Sequence, residues 1–332
     1  MQRREFIVGL GSAVVWSVVA RAQQSKVPVV GYAQTWPQRN VRFIVPLGPG
    51  SATDIGARLF ADRLTALWGK PVVVDNRPGG DGIVGISAVI GAHDDHTLLY
   101  APAGTFVAHP YLHDKLPYDP AELIPVARVT STFIAVGVPV AMNISSLSEL
   151  FAKARAEPGK LNWASGTGLT DFLIASFLDH AHLEMSRVPY RDAVQQPATD
   201  LAEGRIHLYV GGIPILQPHV QNGKVKVITV TNSVRIPGEA IPTVTEAGFP
   251  ALANDSLIGL FATRDMPADV QGRIAGGVRA VTDDAIARRL LTTGQLANPG
   301  GAAEFEASIG ALRARLAIIA TEMGIKPAQR IE

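Results

Sequence analysis

Beyond Gln34, hydrophobic positions along the chain follow two rhythms. Short β-branched or apolar runs, VRFIVP at 41–46, PVVVDN at 71–76 and HTLLYAP at 96–102, are bounded by Pro, Gly and Asn and predict buried strands. Between them, apolar residues recur at helical spacing. In the first such stretch Ile55, Leu59, Phe60, Leu64, Leu67 and Trp68 share one face. Ser51 or Thr53 supplies the N-cap, Asp54 complements the helix dipole in the first turn, and Gly69 with Pro71 closes the helix.

The strand, tight loop and helix recur as LNWAS, GTG and LTDFLIASFL over 161–178, and as IHLYV, GGIP and ILQPHV over 206–220. HTLLYAP likewise runs into AGTFVAHPYL. Four predicted strands therefore end in Gly, Ala, Ser and Thr, and in open parallel sheets ligands bind outside such carboxyl ends. Two extended stretches, at 129–140 and 255–267, are candidate crossovers between an α/β unit built from both ends of the chain and a second one in the middle. Near the C-terminus Phe305, Ile309, Leu312, Leu316, Ile319 and Met323 predict a long amphipathic helix packed on the first unit.

Composition narrows the class. At 332 residues, 47% hydrophobic and 18% charged, the chain has the make-up of a globular protein with a sizeable core. The opening segment has a basic head at Arg3 and Arg4, an apolar run from Phe6 to Ala20 and a small-x-small site at Ala20-Arg21-Ala22, the layout of an export signal cleaved after residue 22. The arginine pair fits a twin-arginine leader, and equally an ordinary Sec leader whose arginines supply only charge; both lead to the periplasm. Cleavage removes three arginines and one glutamate and turns a net charge of +1 slightly negative, with no basic block for nucleic acid. The absence of cysteine excludes disulfides, thiolate metal sites and a catalytic thiol.

Motifs for side-chain chemistry are scarce. Gly80, Gly82 and Gly85 fit a dinucleotide fingerprint, but the next predicted strand ends LLYAPAG without the acid that would hold a ribose. His93 with His96, and His180 with His182, lack the i, i+4 spacing of a helical metal pair and are expected to be solvated loop histidines. G-x-S-x-G, the P-loop, H-E-x-x-H and S-x-x-K are all absent, and Ser51 and Ser165 have no evident base beside them. No catalytic residue, cofactor or metal is expected.

The loops offer main chain instead. A helix N-terminus presents unpaired amides and partial positive charge, so it holds an anion without a cationic side chain, and glycine permits close approach. On this reading the loops bearing Gly48, Gly50, Gly166, Gly168 and Gly211 form a ligand site; the alternative is that the glycines only make tight turns. Arg191, in VPYRDAVQQPATDL at 188–201, either clamps a carboxylate or pairs with a neighbouring acid.

The run from TWPQRNVRFIVPLGPGSATDIGARL through VVVDNRPGGDGIVG closely resembles the start of the Bug family, extracytoplasmic solute receptors of tripartite tricarboxylate transporters. The resemblance continues through ASGTG, VPYRDAVQQPATDLAEGRIHLYVGG, IPTVTEAGFP and the C-terminal helix. It implies an α/β, type II periplasmic-binding-protein fold with two lobes joined by a two-strand hinge. The expected division is a leader at 1–22, an arm at 23–35, lobe I at 36–135 plus 256–332, and lobe II at 136–255.

The resemblance further implies that Gly50, Ser51, Thr53 and Asp54 meet a ligand carboxylate beside Gly104 and Thr105, with Ser165, Gly166, Thr167, Gly168 and Asp192 facing in from lobe II. Two departures stand out. Asp171-Phe172 replaces the usual His-Leu pair, and Asp192 replaces a usual glycine, which favours a ligand carrying a hydroxyl or cationic group. The expected function is a monomeric periplasmic receptor that hands a small carboxylate to membrane transporter subunits. An exported hydrolase on the same fold, and a ligand sensor for a membrane kinase, are the alternatives.

Overall fold

The computed structural model describes residues 36–166, 168–190, 193 and 195–330. The expected leader and arm lie outside them, as do Thr167, Arg191 and Asp192.

The chain opens with β1 (Val41–Val45), α1 (Ala52–Trp68), β2 (Val72–Asn76), α2 (Ile83–Ile90), β3 (Thr97–Pro102) and α3 (Ala103–Leu112). It continues through β4 (Lys115–Leu116), β5 (Leu123–Thr132), β6 (Ile134–Pro139), α4 (Leu147–Ala156), β7 (Leu161–Ser165) and α5 (Leu169–His180). There follow β8 (Met185–Arg187), α6 (Gln196–Ala202), β9 (Leu208–Gly212), α7 (Ile213–Gln221) and β10 (Val225–Val230). The last part holds β11 (Ser256–Thr263), α8 (Ala268–Val281), α9 (Asp284–Thr292), β12 (Gln295–Gly301), α10 (Ala302–Glu322) and β13 (Gln329–Arg330).

These strands build a six-stranded sheet ordered β12-β5-β11-β3-β1-β2 and a five-stranded sheet ordered β10-β6-β9-β7-β8. Within each, the βα units pair in parallel, β1 with β2 and β3, and β7 with β8 and β9. The strands linking the two parts, β5, β6 and β11, pair antiparallel to their neighbours. Both faces of each sheet are covered, as parallel sheets require. Along β1, Val41, Phe43 and Val45 face a core shared with α1 and α8, while Ile44 faces one shared with α2, α3 and α10. In the smaller sheet Val136 and Trp163 pack on one side, Ala135 and Ala164 on the other.

The first helix forms as its sequence dictates. Ser51 Oγ accepts the Asp54 amide at 3.2 Å, and Gly69 ends the helix at φ 65, a left-handed value that glycine adopts without steric cost. Leu67, placed on the apolar stripe, is half exposed, whereas Trp68 packs edge-on against Trp36. The expected C-terminal helix is α10, with Phe305, Ile309 and Leu316 fully buried.

One of the two expected crossovers needs correction. The stretch at 129–140 does cross, passing from β5 in the larger sheet to β6 in the smaller, with Phe133 between them: its amide donates to the Gly294 carbonyl and its carbonyl accepts from Ile213. The stretch at 255–267 is no crossover strand, since β11 lies wholly in the larger sheet; the return runs through the irregular segment after Val230.

Candidate functional site

Four strand-to-helix junctions, β1–α1 and β3–α3 from the larger sheet and β7–α5 and β9–α7 from the smaller, meet at one cavity of about 160 Å³. That is close to the roughly 150 Å³ of an engineered cavity that accepts a benzene-sized molecule. Of the residues expected to bind ligand, Gly48, Ser51, Thr53, Gly104, Thr105, Ser165, Gly166 and Gly211 line it. Among the described lining residues there is no Lys, Arg or His, and the acids are Asp81 and Asp255. Asp255 is engaged with Ser233, accepting its amide at 2.9 Å and its hydroxyl at 2.7 Å.

The donors available are therefore main-chain amides and neutral side chains. Ala52 and Thr53 open α1, and Ala103, Gly104 and Thr105 open α3; first-turn amides have no acceptor within their own helix. No loop separates strand from helix at two of the junctions. β3 passes straight into α3 at Ala103, and β9 runs through Gly211 and Gly212 directly into α7, so Gly211 is a strand residue rather than a loop residue.

Four residues expected at the ligand have other work. Asp54, 4% exposed, turns its Oδ2 to the Gly50 amide at 3.0 Å and its Oδ1 to Arg58 at 2.9 Å. Burial opposes its charged form, but Arg58, the Gly50 amide and Asn76 outweigh this and hold its pKa below the usual 3.8. Asp54 and Gly50 thus lock the loop and do not line the cavity. The Gly166 amide is likewise spent, donating to the Val210 carbonyl at 2.8 Å. Gly168 does not line the cavity either: at φ 66, a Cβ there would stand 3.2 Å from Thr105 Cα, so glycine allows α5 to approach α3.

Asp171 does not confront the cavity as a bare charge. It accepts from Ser165 Oγ at 2.8 Å and from Arg187 Nε at 2.9 Å, and its second oxygen meets Arg187 Nη2 at 2.8 Å. This two-pronged pairing satisfies the acid and occupies the Ser165 hydroxyl. The Ser51 hydroxyl is occupied in capping α1.

Other lining residues escaped the sequence reading. Thr132 contributes a buried Oγ1 without a hydrogen-bond partner among the described residues. Tyr190 lines the cavity while its hydroxyl donates to Asp200 at 2.6 Å; burial and that carboxylate both raise its pKa. Pro78, Asp81 and Gly82, from the glycine run set aside as a nucleotide decoy, also line it. The signal was the position of that run after β2, which brings it to the same sheet edge as the other loops.

The histidine expectations fare unevenly. His93, His180 and His182 are exposed. His96 is only 3% exposed, its Nε2 accepting the Gln38 amide and its Nδ1 contacting Asp95 at 2.5 Å, because a strand begins at the next residue and draws it inward.

Two α/β sheets joined by two chain crossings, with a small-molecule cavity where helix N-termini from both converge, define a two-lobed binding protein of the periplasmic type. The chain belongs to the tripartite tricarboxylate transporter receptor family, whose model matches residues 56–303. It is 31% identical over 300 residues to a UPF0065 protein of Bordetella bronchiseptica, covering 89% of each chain. An R. palustris protein solved with adipate superposes with a TM-score of 0.81 at 28% identity, covering 88% of this chain and 99% of that one. MatC from Rhodopseudomonas palustris with bound malate superposes at 0.70 with 27% identity, covering 78% and 90%.

Proposed function

We propose that this receptor works in the periplasm, captures a small dicarboxylate in the cavity between its two sheets, and presents it to the membrane subunits of a tripartite tricarboxylate-type transporter. The observation carrying this reading is the convergence of four strand-to-helix junctions on a cavity without a described cationic side chain. Such a cavity favours an anion through main-chain amides and helix dipoles. The ligands of the two R. palustris structures, adipate and malate, are of that class.

The six-stranded and five-stranded sheets serve as the two lobes, and the crossings near Phe133 and after Val230 serve as the hinge on which they close. Residues 1–22 direct export and are absent from the mature receptor. Capture proceeds without turnover, since the Ser51 and Ser165 hydroxyls are both committed to structural bonds.

Thermal denaturation of the tag-free mature protein with C4 to C6 diacids, each beside its dimethyl ester, tests the proposal. A ligand that binds only the folded state stabilises by RT ln(1 + [L]/Kd). Diacids raise Tm with concentration and esters do not; equal shifts from acid and ester, or none from any acid, would overturn the reading.

A further inference from the structure

We propose that Asp81, His109 and His113 form a binding site for a divalent transition-metal ion of the zinc class, set in the wall behind the solute cavity. Asp81 belongs to the run at 79–82 in which Gly79, Gly80 and Gly82 all have positive φ. It shares that left-handed conformation at φ 59, where glycine would be easier, yet carries a carboxylate. Two imidazoles meet that carboxylate. Oδ2 lies 3.6 Å from His113 Nε2 and 3.7 Å from His109 Nε2, and the three residues' ligand atoms all lie within 4.8 Å of one another.

Those separations are too long for hydrogen bonds. They are close to the roughly 3.4 Å edge of a tetrahedron whose metal-to-ligand bonds are about 2.1 Å. The two histidines stand at i and i+4 at the end of α3, the spacing that puts two imidazoles on one helix face.

The surroundings suit ligation. His109 is fully buried, so its ring is held in place by packing. Its Nδ1 is 2.5 Å from the Tyr118 hydroxyl, the kind of outer partner that orients a ligating ring. Its Nε2 faces the Asp81 carbonyl at 2.9 Å; metal binding opens that contact, and the proton there moves to Nδ1, where the Tyr118 oxygen accepts it. His113 Nε2 is buried and makes no hydrogen bond among the described residues. Two nitrogens and one carboxylate favour zinc, nickel or copper over magnesium or calcium. Three protein ligands leave a fourth position for water. A bound cation would also offset the Asp81 charge, which lines the solute cavity.

Isothermal titration of chelator-stripped, tag-free mature protein with Zn²⁺ at neutral pH tests the site, with Mg²⁺ in parallel. One Zn²⁺ binds per chain and Mg²⁺ does not. His113→Gln and Asp81→Gly each weaken Zn²⁺ binding at least 100-fold, whereas exposed His180→Gln leaves it unchanged. Asp81→Gly also relieves the positive φ, so its metal-free Tm equals or exceeds that of the parent while the Zn²⁺-induced rise in Tm disappears. No Zn²⁺ binding by the parent, or affinity unchanged in both Asp81→Gly and His113→Gln, would overturn the proposal, and neither result bears on diacid binding.

Discussion

The side chain of Asn232 ties the two crossings together at Thr132: its Nδ2 donates to the Thr132 carbonyl at 2.9 Å while its Oδ1 accepts the Ile134 amide at 2.9 Å. Asn232 is 2% exposed, so the bridge is dry. It fixes the outgoing strand where it leaves the larger sheet against the returning segment that follows β10.

Asn232→Ala would leave a buried amide and a buried carbonyl unpaired. Each such loss costs roughly 1–3 kcal/mol. Urea denaturation is expected to show destabilisation of about 2–4 kcal/mol without a change in slope; a loss under about 0.5 kcal/mol would deny the bridge its role.

Asp54 gives the protein an acid-sensitive loop. Because its pKa is lowered in the folded state, the stability it contributes is present above the ordinary value of 3.8 and is lost as pH falls through the folded value. Asp54→Asn keeps an acceptor for the Gly50 amide but gives up the Arg58 pair. It is expected to cost about 1 kcal/mol at pH 7 and progressively less as pH falls below 3.8, read from urea midpoints at pH 7 and in acid. An equal deficit at both pH values would contradict the assignment.

Gly104 and Leu169 mark one close contact between the two halves. A Cβ on Gly104 would lie 2.8 Å from Leu169 Cβ and Cδ2, and neither the helix-bound Cβ nor the packed branch is free to retreat. Gly104→Ala is expected to cost about 1–3 kcal/mol by overpacking. Adding Leu169→Ala should recover at least about 0.5 kcal/mol relative to the sum of the single changes; strict additivity in the cycle would place the two residues apart.

Arg187 is half exposed while Asp171 is 9% exposed, so the pair matters chiefly for what it neutralises. Arg187→Ala is expected to lower stability by about 1 kcal/mol and to weaken diacid binding by leaving a negative charge beside β7. Asp171→Asn in the same chain restores affinity. If Arg187→Ala binds diacid as the parent does, Asp171 plays no part in the field of the cavity.

Legibility in the sequence tracks how local the cause is. Everything that makes α1 lies within its own residues: Ser51 caps it, Asp54 sits in its first turn, the apolar face repeats and Gly69 ends it. The strand ends bearing Gly48, Gly104, Ser165 and Gly211 were legible for the same reason, and the fold brings them to one cavity. What no local pattern reveals is which amides are already engaged. Gly50 looks as open as Thr53 until Asp54 curls back on it, and Gly166 looks open until β9 lies alongside. The pairing of Asp171 with Arg187 depends on β8 lying beside β7. His109 and His113 did carry a readable i, i+4 spacing, but their partner Asp81 comes from a loop 28 residues before His109.

In the proposed site, first-turn amides rather than cationic side chains hold the ligand's carboxylate. A crystal structure of the protein with the tightest-binding diacid decides this. Carboxylate oxygens are expected within about 3.2 Å of amide nitrogens at the starts of α1 and α3, such as those of Thr53 and Thr105. A diacid gripped instead by lysine or arginine side chains, with those amides facing only water or other protein atoms, would contradict it.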